Sequence, residues 1–159
     1  MDSNRDVDNS GLLPQHRQAL AARALTDEQI LARGYRSITD SKDDRELLSQ
    51  AGIVKAGQRV PGLLLPLRRA DGSVWGYQFR PDNPRIGNDG RLIKYESAHR
   101  MKVDLDVPPG VDLARLTDPS EPLLITEGVF KADAAAAAGL KIVALIGVWN
   151  WIATNDAGG

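Results

Sequence analysis

Two apolar runs with a helix-forming segment between them constrain this chain more than any other feature. Pro122-Leu-Leu-Ile-Thr-Glu-Gly-Val-Phe-Lys-Ala-Asp133 continues through five alanines to Gly139, and Lys141-Ile-Val-Ala-Leu-Ile-Gly147 follows at once. Residues of β character lead into Thr-Glu-Gly, and the alanine-rich run favours helix. The second apolar run returns to strand. Strand, helix, strand at this spacing is a parallel βαβ unit. Glu127 then stands at the carboxyl end of the first strand, where open α/β sheets place their chemistry.

The rest of the chain narrows the class. A length of 159 residues gives room for one modest domain, or a small domain with a helical arm. The absence of cysteine excludes disulfides, thiolate metal sites and cysteine nucleophiles, and fits a reducing compartment. No apolar run approaches the roughly 18–20 residues that span a bilayer, and the first thirteen residues are polar with both charge signs. The expected location is cytoplasmic, with no membrane partner.

The net charge of −1 conceals an asymmetry. Met1–Val54 holds seven basic and nine acidic residues, Lys55–Lys102 ten and four, and the remainder three and eight. A basic middle followed by an acidic end is the charge pattern of a polyanion groove beside a carboxylate site. Solvated strand faces would give the same counts.

Residues 1–13 read as a disordered tail and 14–54 as a helical module. Pro14 suits a first helical turn, and Thr26 with Gln29 forms a capping box for a second helix that stops at Gly34. Ser41 caps a third helix, through Arg45–Gln50, closed by Gly52. Residues 55–106 read as a basic antiparallel β region. Within it, Gly62–Leu67 is a strand expected at an edge or a strand end because of Pro66. Ala70-Asp-Gly-Ser73 is a turn, and Val74–Arg80 returns with alternating aromatics. Arg80-Pro-Asp-Asn-Pro-Arg85 is too rich in proline for regular structure, Asn88-Asp-Gly90 is a second turn, and Arg91–Glu96 a further strand. Residues 107–121 read as a linker with one helical turn near Asp112–Leu116, and 122–159 as the βαβ unit.

Several residues invite chemistry. Glu127 can act as general acid or base or hold a divalent cation, or can simply favour a helix N-terminus. Lys131 lies one turn later and can pair with it or share a phosphate. Asp104 and Asp106 fall on one face of an extended segment as a candidate metal pair. His16 reads as an exposed helix histidine without a partner placed by spacing, and His99 as a loop residue among Ser97, Arg100 and Lys102. Trp149 and Trp151 either stack on a base or seal the core.

Leu124-Ile-Thr-Glu-Gly-Val-Phe-Lys-Ala-Asp-Ala134 followed by Ala144-Leu-Ile-Gly-Val-Trp-Asn-Trp151 resembles the start of a Toprim-type domain. The variant it is most similar to is the Toprim-like family of phage- and plasmid-type primase-related proteins known as DUF3854. Upstream, Leu65-Pro-Leu, Asp71-Gly, Gly76-Tyr-Gln-Phe-Arg-Pro-Asp-Asn-Pro-Arg85 and Lys94-Tyr-Glu96 follow the order found in bacterial replicative primases. The resemblance runs from about Leu13 to the C-terminus.

It implies an α+β fold: a small helical N-terminal module, an antiparallel hairpin and sheet, and an incomplete Toprim-like βαβ unit. It implies Glu127 as the catalytic carboxylate and a magnesium neighbour, and Arg80 and Lys94 as the basic residues facing nucleotide or template; Arg85, Tyr95 and Lys131 join them as the expected nucleic-acid or phosphate contacts. The implied partners are single-stranded DNA or RNA and nucleotides, with a helicase or other replication protein. Mg²⁺-dependent nucleotidyl transfer is expected of a complete homologue, because phosphoryl transfer rests on positioning and charge neutralisation. The sequence departs from the family by stopping at Asn155-Asp-Ala-Gly-Gly159, ahead of the family's Asp-x-Asp. The expectation is therefore an N-terminal portion, inactive by itself. A non-catalytic binding module and a structural remnant are the alternatives.

Overall fold

The computed structural model describes residues 11–99, 101–102 and 104–146, apart from the side chain of Ala56. The chain divides into two compact units. One comprises Met1–Leu67 with Val74–Met101, the other Arg68–Ser73 with Lys102–Gly159.

In the first unit, local sequence signals set the helix ends. Helix α1 (Pro14–Ala21) begins on its proline, whose fixed φ and missing N–H suit a first turn. Helix α2 (Asp27–Arg33) starts on the capping box: Thr26 Oγ1 accepts the Gln29 N–H at 3.3 Å, and Gln29 Oε1 accepts the Thr26 N–H at 2.8 Å. It stops at Gly34, whose φ of 81° is the left-handed conformation that glycine adopts without a Cβ penalty. Helix α3 (Lys42–Gln50) is capped by Ser41, whose Oγ accepts the Asp44 N–H at 3.2 Å.

A four-stranded sheet accompanies these helices. Strands β1 (Arg36–Ile38), β2 (Gly62–Arg68), β3 (Val74–Pro81) and β6 (Glu96–Ser97) are ordered β1-β2-β3-β6. Between β3 and β6 the chain forms a separate two-stranded hairpin, β4 (Arg85–Ile86) with β5 (Leu92–Ile93). Ile38, Leu48, Ile53, Leu64 and Phe79 form one core cluster, with Leu47, Ala51, Val60 and Tyr77 packed around it. Gly62 is required by close approach: a methyl there would stand 2.6 Å from Phe79 Cζ and 2.7 Å from the Arg80 carbonyl oxygen.

Two sequence expectations change here. Strand β2 is interior in the sheet order, despite Pro66. Strand β1 pairs with it only over Arg36↔Leu64 to Ile38↔Gly62, so Pro66 lies past the end of that ladder and costs it no hydrogen bond. Arg33, fully buried, instead donates to the Pro66 carbonyl at 3.3 Å. The stretch Arg91–Glu96 is not one strand either. Leu92–Ile93 pairs with β4 and Glu96–Ser97 with β3, which leaves Lys94 and Tyr95 at the crossing between two sheets.

The second unit contains the βαβ unit. Strands β7 (Leu124–Glu127) and β8 (Ile142–Leu145) pair in parallel from Leu124↔Ile142 to Glu127↔Leu145, joined by helix α5 (Val129–Ala137). The Asp106 backbone bridges Ala144 with N–H···O bonds of 3.0 and 2.8 Å. Strand β8 is thus bonded on both sides, and β7 is the edge among the described residues. The stretch expected as a linker supplies core: Val107 and Val111 pack with Val143, Ala70, Leu116 and Ala136. Helix α4 (Leu113–Thr117) is capped by Asp112, whose Oδ1 accepts the Arg115 N–H at 2.8 Å. Buried Lys141 donates to the carbonyls of Asp118 and Glu121, a satisfied interior cation. The fold is mixed α+β.

Candidate functional site

The residues expected to contact phosphate divide between the two units. Arg80 is the penultimate residue of β3, Arg85 opens β4, and Lys94 and Tyr95 occupy the crossing from β5 to β6. Glu127 and Lys131 belong to the other unit.

Within the first unit, the Arg80 guanidinium lies 5.9 Å from the centroid of the Tyr95 ring, a cation–π pair. Burial pushes the Tyr95 phenol above its ordinary value, and the charges of Arg80 and Arg23 only partly oppose that. The ring remains neutral at physiological pH, with a third of its surface exposed. Lys94, next to it, is exposed.

Arg85 is held differently. Its Nε and Nη2 donate to the two carboxylate oxygens of Glu96 at 2.6 and 3.1 Å, and Glu96 is buried. This bidentate contact raises the arginine's pKa and fastens β4 to β6. Glu96 also fills the space beside Gly57, where an added methyl would meet its side chain at 2.8 Å. The signal for this anchor was present in the sequence as an acid in a basic stretch, but its partner across the hairpin was not.

His16 corrects the sequence reading. It is buried, and its partners come from distant segments: Nδ1 lies 2.6 Å from Ser37 Oγ and Nε2 2.8 Å from Asp82 Oδ1. Ser37 Oγ also accepts the Leu13 N–H at 2.7 Å. Donation by Ser37 to Nδ1 and by Nε2–H to Asp82 satisfies every group. The serine is itself buried, so its hydroxyl presents no face to a substrate. The trio fastens α1 to β1 and, through Asp82, to the chain just after β3. His99 is an exposed turn residue, as expected.

In the second unit Glu127 ends β7, is exposed, and precedes Gly128, whose φ is 85°. The Gly128 N–H donates to the Leu145 carbonyl at 3.2 Å, which turns the chain into α5. Lys131, one turn into that helix, is exposed, and Asp133 is buried. Asp104 and Asp106 do not converge as ligands. Asp104 pairs with Arg69 at 2.9 Å, and Asp106, fully buried, accepts the Arg68 N–H at 2.9 Å. Among the described residues no three His, Asp or Glu side chains gather in a metal-binding group. These residues alone do not fit a magnesium site. Trp149 and Trp151 lie outside the described residues.

The family described as Domain of unknown function (DUF3854) matches residues 114–159. No curated protein matches the sequence. Among solved structures, the E. coli primase catalytic core is 26% identical with a TM-score of 0.52, over 84% of this chain and 48% of that one. A DnaG primase catalytic domain bound to single-stranded DNA is 25% identical with a TM-score of 0.53, over 85% and 47%. The fold is similar to that of primase catalytic cores. The RNA polymerase domain of Mycobacterium tuberculosis primase, in complex with a double-stranded DNA oligomer with a 6-nucleotide overhang, matches at 20% identity and TM-score 0.59, over 85% and 48%. The chain therefore spans about half the length of the primase structures it matches.

Proposed function

We propose that this chain binds single-stranded nucleic acid as part of a primase-like replication apparatus of a mobile element. The observation that carries the reading is the fold likeness to primase catalytic cores over some 84% of the chain, including one solved with single-stranded DNA bound. Arg80 and Lys94 are the phosphate contacts, and Tyr95, braced by Arg80, is an aromatic face for a base. Arg85 contributes positive potential while anchoring the hairpin through Glu96. Glu127, exposed at a strand end with Lys131 one turn on, is the carboxylate for nucleotidyl transfer. Magnesium would need further carboxylates beside it, and nucleotides and a helicase or other replication protein are the partners such an apparatus uses.

The test is binding of a fluorescent single-stranded oligonucleotide across a salt series. For single strands the slope of log K against log [salt] is about −0.7 per phosphate contacted. Arg80→Ala with Lys94→Ala should weaken binding and flatten that slope by about 1.4. Affinity and slope unchanged in the double variant would overturn the assignment.

A further inference from the structure

We propose that the β4–β5 hairpin presents an apolar tip that takes the face of an unstacked base, with Ile86 and Leu92 as the contacting side chains. The inference rests on the reading of the chain as a single-strand binder and names a second, non-electrostatic part of that surface. Ile86 and Leu92 are direct cross-strand partners, and they are 68% and 56% exposed. Two large aliphatic side chains side by side in solvent contribute nothing to the core of their own unit, which is built from other residues.

The hairpin that displays them is firmly built. The Gly87 N–H donates to the Arg91 carbonyl at 2.7 Å, the Gly90 N–H to the Gly87 carbonyl at 3.0 Å, and Asp89 Oδ1 accepts the Arg91 N–H at 3.1 Å. At its base, the Arg85–Glu96 pair ties β4 to β6. Ile93, half-buried, closes against Gly87, where an added methyl would meet its Cδ1 at 3.2 Å. The apolar pair is therefore held in place before any ligand arrives.

Charge selects the occupant. From Arg80 to Tyr95 the chain carries Arg80, Arg85, Arg91 and Lys94 against Asp82 and Asp89. The Arg91 side chain is 88% exposed and only loosely paired, 3.9 Å from Asp89. An apolar pair with exposed Arg91 and Lys94 close by in the chain, and an aromatic ring and guanidinium at the root of the same hairpin, fits a strand whose phosphates meet the cations while a base meets the side chains.

The experiment uses the full chain and a single-stranded deoxyoligonucleotide containing one 2-aminopurine. Ile86→Ser with Leu92→Ser should lower affinity roughly ten-fold, the scale of one lost base contact. The salt slope should stay at the parent value, because no phosphate contact is removed. In a separate variant, Ile86→Trp should show more emission quenching on adding the oligonucleotide than the parent, which already carries Trp75, Trp149 and Trp151. Affinity within two-fold of the parent for the double serine variant, or quenching in Ile86→Trp no greater than the parent's, would overturn the hairpin assignment while Arg80 and Lys94 kept their effect. A parent chain that binds no single strand would overturn both readings.

Discussion

Strands β2 and β7 look alike in sequence and differ completely in surroundings. Gly62-Leu-Leu-Leu-Pro-Leu67 is buried along its whole length, between β1 and β3 and against the core of Ile38, Leu48, Ile53 and Phe79. Leu124-Ile-Thr-Glu127 is as apolar at its start, yet Leu124 is 41% and Ile125 62% exposed. Strand β7 has one described neighbour, β8, and helix α5 turns inward mainly through Val129, Phe130 and Ala132. An apolar strand is stabilised by what lies on its edges and faces, not by its composition. Parallel strands are ordinarily covered on both faces, which makes the exposure of β7 the exception.

The comparison is most easily broken in the first unit. Leu64 is 2% exposed at the centre of its core, so Leu64→Ala should destabilise that unit by about 2–5 kcal/mol, the transfer and cavity cost of a buried leucine. Urea unfolding followed by circular dichroism reads it. A loss below about 1 kcal/mol would mean that the site collapses around the smaller side chain and that the core is not tightly packed.

Asp44 gives the next effect, with a pH signature. Desolvation pushes its carboxyl up. The Thr39 hydroxyl and N–H, at 2.7 and 2.8 Å, together with Arg36 and Ser41, outweigh that and hold the group below its ordinary value. Its contribution is therefore complete above about pH 4, the unfolded value, and is lost as pH falls through the lower folded value. Asp44→Ala should cost about 1–3 kcal/mol at pH 7, since it leaves the Thr39 donors unmatched in a buried site. The gap from the parent should narrow in acid. A gap independent of pH would show that the carboxylate's charge is not what β1 and α3 use.

What the sequence made legible was local. The Thr26–Gln29 box, the stop at Gly34 and the Ser41 cap are contacts within a few residues, and each stands where it was expected. The βαβ unit and the position of Glu127 were also legible, because an apolar run, an alanine helix and a second apolar run admit few other arrangements. Strand β1 was not, since three residues carry too little pattern and its identity comes from pairing with β2. His16 was misread because Ser37 and Asp82 lie 21 and 66 residues away. Arg85 was readable as a cation, but the buried Glu96 that holds it became visible only when the chain was folded. Side-chain pairing over long sequence distance, not secondary structure, separated expectation from outcome.

The smallest expected effect tests the other half of the comparison. Ile125 faces solvent for most of its surface, so Ile125→Ser removes almost no burial within this chain and should change stability by no more than about 0.5 kcal/mol. The same substitution at a buried strand position would cost several times that, because it adds an unmatched hydroxyl to the lost apolar contact. Thermal unfolding of Ile125→Ser beside Leu64→Ala, at equal protein concentration, gives the contrast directly. A loss of about 2 kcal/mol or more at Ile125 would mean that β7 is covered in solution by something that exposure in the isolated chain does not reveal. Dependence of that loss on protein concentration would identify the cover as a second copy, since association stabilises the folded state by mass action.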